Sequence, residues 1–256
     1  MLIILSPAKI QNFEPQNFIT EFTQPEFIKD AEYLVKTIRQ LSASELSKLL
    51  EINAKLAHQN SDRYFNWHRP FTPANSKQAV LVFNGEVFHG LDAKSFSKDD
   101  FMYLQSHVRI LSGLYGILRP LDLIQPYRIE ISTKLQTAKG GDVYTFWGNK
   151  LTQSVKKAQL ASGEPNIILN LSSNEYFKSI NKKLVKANVI DFEFLEIKEE
   201  EYKPIVMYTK KARGLMTRYV IENRIENVED LKGFNAEGYW YSHQLSTETK
   251  FVFVRG

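Results

Sequence analysis

Several groups of residues in this 256-residue chain have types and spacing suited to holding an anion. The densest is the stretch RILSGLYGILRPLDLIQPYRIEI, residues 109–131, which combines Gly113 and Gly116 with Arg109, Arg119 and Arg128. Glycine admits positive φ and close approach of a backbone or ligand. Arginine offers a planar fork of donors for phosphate or carboxylate. In a helix-hairpin-helix element, a glycine-containing hairpin turns its backbone N–H groups toward a phosphate. Leu111-x-Gly113-x-x-Gly116-Ile117 is a loose version of that hairpin. A tight turn packed in the core is the competing reading, and spacing alone favours it. Neither GxGxxG nor GxxxxGK[ST] occurs, so no Rossmann or P-loop fingerprint is present.

Lys210, Lys211 and Arg213 form a second group. They are expected at the start of a helix over 210–225, with Thr209 as its cap. Cations there oppose the helix dipole by roughly 0.3–1 kcal/mol each, and a bound phosphate would reverse that cost. Arg218 and Arg224 extend the basic character, and Glu222 is placed to pair with Arg218 at i,i+4. A solvated basic face is the equal alternative. In Asn170-Leu171-Ser172-Ser173-Asn174-Glu175, Ser172 and Glu175 read as a capping box. A helix opening directly after a buried strand is also where α/β proteins bind anions. Ser6-Pro7-Ala8-Lys9 has the spacing of a serine–lysine pair. That chemistry needs a helical turn, and Pro7 argues for a strand-end loop with Lys9 as an anion contact.

Metal and cofactor sites are not expected. The chain has no cysteine and five histidines, none in His-x-x-x-His spacing. Glu86-x-x-His89 is half of a di-iron ligand set, but such sets occur in duplicate on bundle helices. Cysteine-free composition excludes disulfides and thiolate chemistry.

The elements that must position these residues alternate in type. Short apolar runs at Leu2–Leu5, Ala79–Phe83 and Asn166–Leu171 predict buried strands. Helices are expected from Pro25 to Leu41, from Ser44 to Ala57, from Ser97, from Val143 to Leu160, and from Ser172 to Leu184. Two strands, Asn188–Ile197 and Tyr202–Tyr208, are expected to pair. Ile129–Ile131, Tyr239–Ser242 and Phe251–Val254 read as further strands. No repeat or long linker divides the chain. With 43% hydrophobic residues, one large core is within reach. The expected fold class is therefore α/β, a single domain over 1–256 with a mixed sheet and surrounding helices. The net charge of +4 permits nucleic-acid binding without requiring it. The short apolar start lacks a basic leader, and no run reaches the roughly 20 residues of a membrane span. A cytoplasmic monomer is expected.

Taken together, several segments resemble the YaaA family of bacterial peroxide-stress proteins. They are LIILSPAK at 2–9, FTPAN at 71–75, SGLYGILRPLDLIQPYR at 112–128, FWG at 146–148, NLSSNEYFKS at 170–179 and KKARGLMTRYVIENR at 210–224. The tail after Tyr241 departs from the pattern. The resemblance implies a family-specific α/β fold with a basic cleft and a helix-hairpin-helix element. It further implies binding to double-stranded DNA, including unpaired or branched regions, protection of DNA under peroxide, and a link to limiting intracellular iron. Residues 98–124 are the first choice for the hairpin element, and the helix pair at 25–57 is the second.

The resulting expectation is a DNA binder. Lys9, Arg109, Arg119, Arg128, Lys210, Lys211, Arg213 and Arg218 would hold phosphates, and Gly113 and Gly116 would supply backbone donors. Tyr115 and Tyr127 would stack on unpaired bases. The rival is an enzyme acting on a nucleotide or nucleic acid, with Ser6, Lys9, Glu130, Asn170, Ser173, Glu175 and Lys210 converging at strand ends. Direct iron sequestration is a third reading.

Overall fold

The computed structural model describes residues 1–163 and 166–256. A twisted sheet runs through the molecule. At its centre lies β1 (Leu2–Leu5), whose four side chains are all buried. On one side it pairs in parallel with β3 (Val108–Ser112), which folds back on β4 (Gly116–Leu118) as an antiparallel hairpin. On the other side follow β6 (Ile167–Asn170), β7 (Asn188–Lys198) and β10 (Lys250–Arg255), all parallel. The edge strand β9 (Trp240–Tyr241) and the short β8 (Glu201–Lys203) join antiparallel to β10 and β7. β2 (Lys77–Gln78) and β5 (Leu123–Ile124) form a separate two-stranded ribbon.

The helices are α1 (Ile28–Ile38), α2 (Ala43–Leu50), α3 (Ala54–Asn66), α4 (Ala79–Val82), α5 (Glu86–Leu91) and α6 (Lys98–His107) in the first half. The second half adds α7 (Val143–Trp147), α8 (Lys150–Ala161), α9 (Asn174–Phe177), α10 (Lys182–Val185) and α11 (Val206–Glu222). A main hydrophobic core reaches from Met1 to Phe253, with a small second cluster at Leu195, Val252 and Val254, and the α/β chain with its mixed sheet is one compact domain. Among the described residues, no helix is long and apolar enough to cross a membrane.

Local chemistry explains most boundaries. Ala31, Leu34, Val35 and Ile38 form the buried stripe of α1. Ser42 and Glu45 close a capping box at α2, and Ser97 and Asp100 close another at α6. Asp142 caps α7 through the Thr145 amide.

Other expectations are corrected. The buried run at Ala79 is a helical turn, α4, rather than a strand, because a short apolar run carries no period that separates the two. The helix from Val143 breaks at Gly148 (φ 49°, ψ −131°), a backbone conformation open to glycine. The helix from Ser44 breaks at Glu51, which adopts a left-handed conformation, before Asn53 caps α3. Ile129–Ile131 is not a strand. Tyr202–Tyr208 is mostly not one either, since α11 begins at Val206, four residues before Lys210. Lys210, Lys211 and Arg213 therefore lie inside the helix, where its N-terminal dipole no longer weighs against them.

Residues 98–124 do not form a helix-hairpin-helix. Their hairpin joins strands β3 and β4 and is sealed in the core. A Cβ on Gly113 would lie 2.2 Å from the Ile129 carbonyl oxygen, so the glycine admits the chain at 129. Gly116 has φ +72° and lies against Leu151 and Trp147. Trp147 Nε1 also donates to the Gly113 carbonyl at 2.9 Å. The core-turn reading of this stretch holds.

Candidate functional site

β1 and β6 are parallel neighbours, and both run out at the same edge of the sheet. Crevices beyond the carboxyl ends of such strands are where α/β sheets bind ligands. Two loops meet there. After β6, Asn170 Oδ1 accepts from the Ser172 amide (3.1 Å) and hydroxyl (2.7 Å), while its Nδ2 donates to Asp191 (2.7 Å). That turn uses up Ser172, so the cap of α9 is Ser173, whose hydroxyl accepts from the Tyr176 amide. The expected Ser172–Glu175 capping box therefore does not form: Ser173 caps α9 alone, and Glu175 is engaged by Ser132. The Ser173 amide donates to Ser6 Oγ at 2.8 Å, joining the β6 loop to the loop after β1.

The opposite wall is α11 lying across α5. The crossing is close because both helices carry glycine at the contact. A Cβ on Gly90 would sit 2.2 Å from the Lys211 carbonyl oxygen, and one on Gly214 would sit 1.9 Å from that of Val87. This closeness sets Lys210 and Arg213 on the wall of a cavity of about 460 Å³. Ser6, Lys9, Glu130, Ser173, Glu175 and Tyr176 line it as well. Arg213 makes no ion pair among the described residues, and its Nε is buried without a hydrogen-bond partner. Burial pulls its guanidinium below the ordinary arginine range.

Two of the cavity's carboxylates, Glu130 and Glu175, are held by neighbouring side chains. Tyr176 donates its hydroxyl to Glu130 Oε2 at 2.7 Å, and Lys9 Nζ stands 3.9 Å from Oε1. Burial, reinforced by the Glu130 charge, pushes the Tyr176 hydroxyl far up, so it remains a donor. Ser132 donates to Glu175 Oε1 at 2.5 Å. Lys210 and Arg213 of α11 have no carboxylate partner among the described residues, while Glu130 and Glu175 are engaged and Glu86 of α5 is a third carboxylate in the lining. Lys9, Glu130 and Glu175 also border a second hollow of about 440 Å³, which adds Lys48, Arg128 and Lys134. The two hollows share Lys9, Glu130 and Glu175 as a common wall.

The remaining sequence candidates lie elsewhere. Arg109 and Arg119 line a separate hollow of about 300 Å³. Arg109 donates to the carbonyls of Gln105 and Val108, and burial lowers its pKa to about 10. Arg119 pairs with buried Asp122 at 2.9 Å. Lys211 is paired with Glu237. Arg218 fastens the turn after α5, donating to Leu91 O, Asp92 O and Ser95 Oγ, and it also holds Glu222. Tyr115 and Tyr127 are buried and bonded to Trp67 and Ser112, which leaves neither ring a face for a base. Asn170 shapes the β6 loop from below. Glu86 and His89 line the main cavity, with His89 Nδ1 3.2 Å from Glu86 and Nε2 2.9 Å from Asn84. Among the described residues no three His, Cys, Asp or Glu side chains are grouped to hold a metal ion.

Sequence reasoning missed the α5 wall, Tyr176, Lys48 and Lys134. One signal was present. A glycine inside a helix costs about 1 kcal/mol relative to alanine, so Gly214, within the helix expected over 210–225, needed a packing reason, whereas no helix was expected at Gly90.

Two comparisons bear on identity. A family model described as peroxide stress protein YaaA matches residues 1–245. A UPF0246 protein of Alteromonas mediterranea is 47% identical over 255 residues, spanning 100% of this chain and 98% of that protein. Matched along nearly its whole length in both, the chain belongs to the peroxide stress protein YaaA family.

Proposed function

We propose that this chain binds DNA in the cleft at the ends of β1 and β6, and that this binding protects DNA during peroxide stress. The observation that carries the reading is the pair Lys210 and Arg213. Both line the cleft, and neither has a carboxylate partner among the described residues. A buried guanidinium without a counter-charge is costly unless an anion completes it. Lys9 lines both hollows, and Arg128 adds a further cation to the neighbouring one. The packed pair α2 and α3, joined through Glu51–Asn53, is the proposed helix-hairpin-helix element, with Lys48 and Glu51 at the rim of the second hollow. A link to limiting intracellular iron belongs to the same proposal. It is tested by comparing the chelatable iron of cells with and without the protein after peroxide.

The test of binding is fluorescence anisotropy on duplex, bubble and junction DNA across a salt series. Affinity should fall steeply with salt, since each phosphate neutralised contributes about 0.9 to the log–log slope. Lys210→Ala should weaken binding to all sequences and flatten that slope by about 1. A folded Lys210→Ala/Arg213→Ala variant with unchanged affinity and slope would overturn this placement.

A second reading, an enzyme acting on nucleic acid, is favoured by one specific observation. Ser6, Lys9, Glu130, Ser173, Glu175 and Lys210 all line a single cavity. A carboxylate bonded to tyrosine and facing a lysine is suited to acid–base work. Product analysis on denaturing gels from the same binding mixtures decides between the readings. Cleavage or base release that Glu130→Gln abolishes would make the protein an enzyme.

A further inference from the structure

We infer that the main cavity receives a single nucleotide extruded from the helical stack, and that Val206 and Met207 fill the gap it leaves. The inference rests on the DNA-binding reading and goes beyond it to the form of DNA the site takes.

The cavity lining carries two chemistries. Lys210 and Arg213 are cationic, while Pro7, Ala8, Val87 and Phe88 add apolar surface. At about 460 Å³ it has the size of a pocket for one small ligand, not of a groove for a duplex. Val87 and Phe88 are almost wholly buried, and Arg213 Nε is fully enclosed. A phosphate on the outside of an intact duplex stays at the rim, where Lys210 is exposed. A nucleotide turned out of the stack brings its own phosphate inward to Arg213 and lays its base against the apolar lining. Enzymes that act on a base reach it in this way, and they read its edge by hydrogen bonds. Donors and acceptors are present for that. Asn84 Oδ1 is occupied by His89, which leaves the side-chain amide N–H groups of Asn84 without a partner among the described residues. Glu86 engages His89 through Oε1 alone.

The second, independent observation lies one turn back along α11. Val206 is 68% exposed and Met207 53% exposed, although both are apolar. They precede Lys210 by four and three residues, so they share its helix face. Exposed apolar side chains beside a cationic cleft are what proteins insert between base steps when they unstack DNA.

The test uses the full-length protein and duplexes carrying 2-aminopurine, either fully paired or within a small bubble. Saturation is set by anisotropy on the same samples. Bubble DNA should bind roughly tenfold tighter than paired DNA, because an unpaired base has no pairing to break. The 2-aminopurine signal should rise severalfold at saturation. Val206→Ser/Met207→Ser, a surface change, should lose most of that rise at saturating protein. Saturable binding with equal affinities and no fluorescence rise overturns this inference and leaves the DNA-binding reading standing. Absence of saturable binding to either DNA overturns both.

Discussion

Gly214 of α11 meets Val87 of α5 backbone to backbone. A Cβ on Gly214 would lie 1.9 Å from the Val87 carbonyl oxygen and 2.7 Å from the Leu91 amide nitrogen. Neither neighbour is the flexible end of a side chain, so the helices must separate to admit a methyl group. Two effects then compete in Gly214→Ala. Alanine gains up to about 1 kcal/mol in helix propensity, while overpacking costs about 1–3 kcal/mol. With a contact this short, overpacking outweighs propensity. The urea midpoint should fall, and DNA affinity should fall with it as Arg213 shifts. A midpoint at or above that of the parent chain would mean that the crossing is looser than described.

This crossing also marks the limit of what sequence could show. Stripes such as Ala31–Ile38 and helix starts such as Ser97 are local, and local pattern located them. The short apolar run Ala79–Phe83 carries no usable period, so its helical turn was hidden. The glycines at 113 and 116 were visible as special, but whether a glycine admits a ligand or another stretch of the same chain is a tertiary fact. Here Ile129 and Trp147 fill the space. The convergence of Ser6 with Ser173, and of Lys210 with Glu130, depends on strand order. No spacing records that order, which is why the polar set could be named in advance but its walls on α5 could not.

Tyr115 gives a direct test of structural against DNA-facing roles. Its hydroxyl accepts from Trp67 Nε1 and from the Gln125 amide, both at 3.0 Å. Tyr115→Phe leaves both donors buried and unpaired, a loss of roughly 1–3 kcal/mol per group before relaxation. Thermal stability should drop clearly while bubble-DNA affinity below the new transition stays within error. A selective loss of bubble binding in a stable Tyr115→Phe protein would restore the stacking role.

Asp142 sets part of the acid limb of stability. It accepts from the Thr145 hydroxyl and amide, with Lys134 3.1 Å away, and these hold its carboxyl near a pKa of about 2 against an ordinary 3.8. A carboxyl depressed on folding adds stability above its unfolded pKa, and that stability is lost as pH falls through the folded value. Asp142→Asn keeps the shape and removes the charge. The site is open to solvent, so the difference near neutral pH should stay below about 1 kcal/mol. Denaturation curves of the two proteins should converge as the pH drops through the range between those two values. Parallel curves across that range would remove Asp142 from the account.

Arg119 separates the two arginine groups of the chain. It was a phosphate candidate by sequence, yet it binds Asp122 with both Nε and Nη2. Asp122 is 1% exposed, and burial raises its carboxyl above the ordinary range despite the pull of Arg119 and Thr23. Arg119→Ala would strand that carboxylate, and breaking a buried pair from one side costs roughly 3 kcal/mol or more. The sign with pH follows from the raised value. An acid whose folded pKa is raised subtracts stability once the pH exceeds its unfolded pKa, and the penalty is complete above the folded one. The loss in Arg119→Ala should therefore be greatest near neutral pH and shrink on acidification, as Asp122 takes up a proton. Asp122→Asn in the same background should recover part of it at neutral pH. DNA binding should keep its salt slope, since Arg119 faces a hollow that does not join the cleft of Lys210 and Arg213. A slope reduced by about 1 in a folded Arg119→Ala protein would place a phosphate on Arg119, and the cleft would then need a second arm.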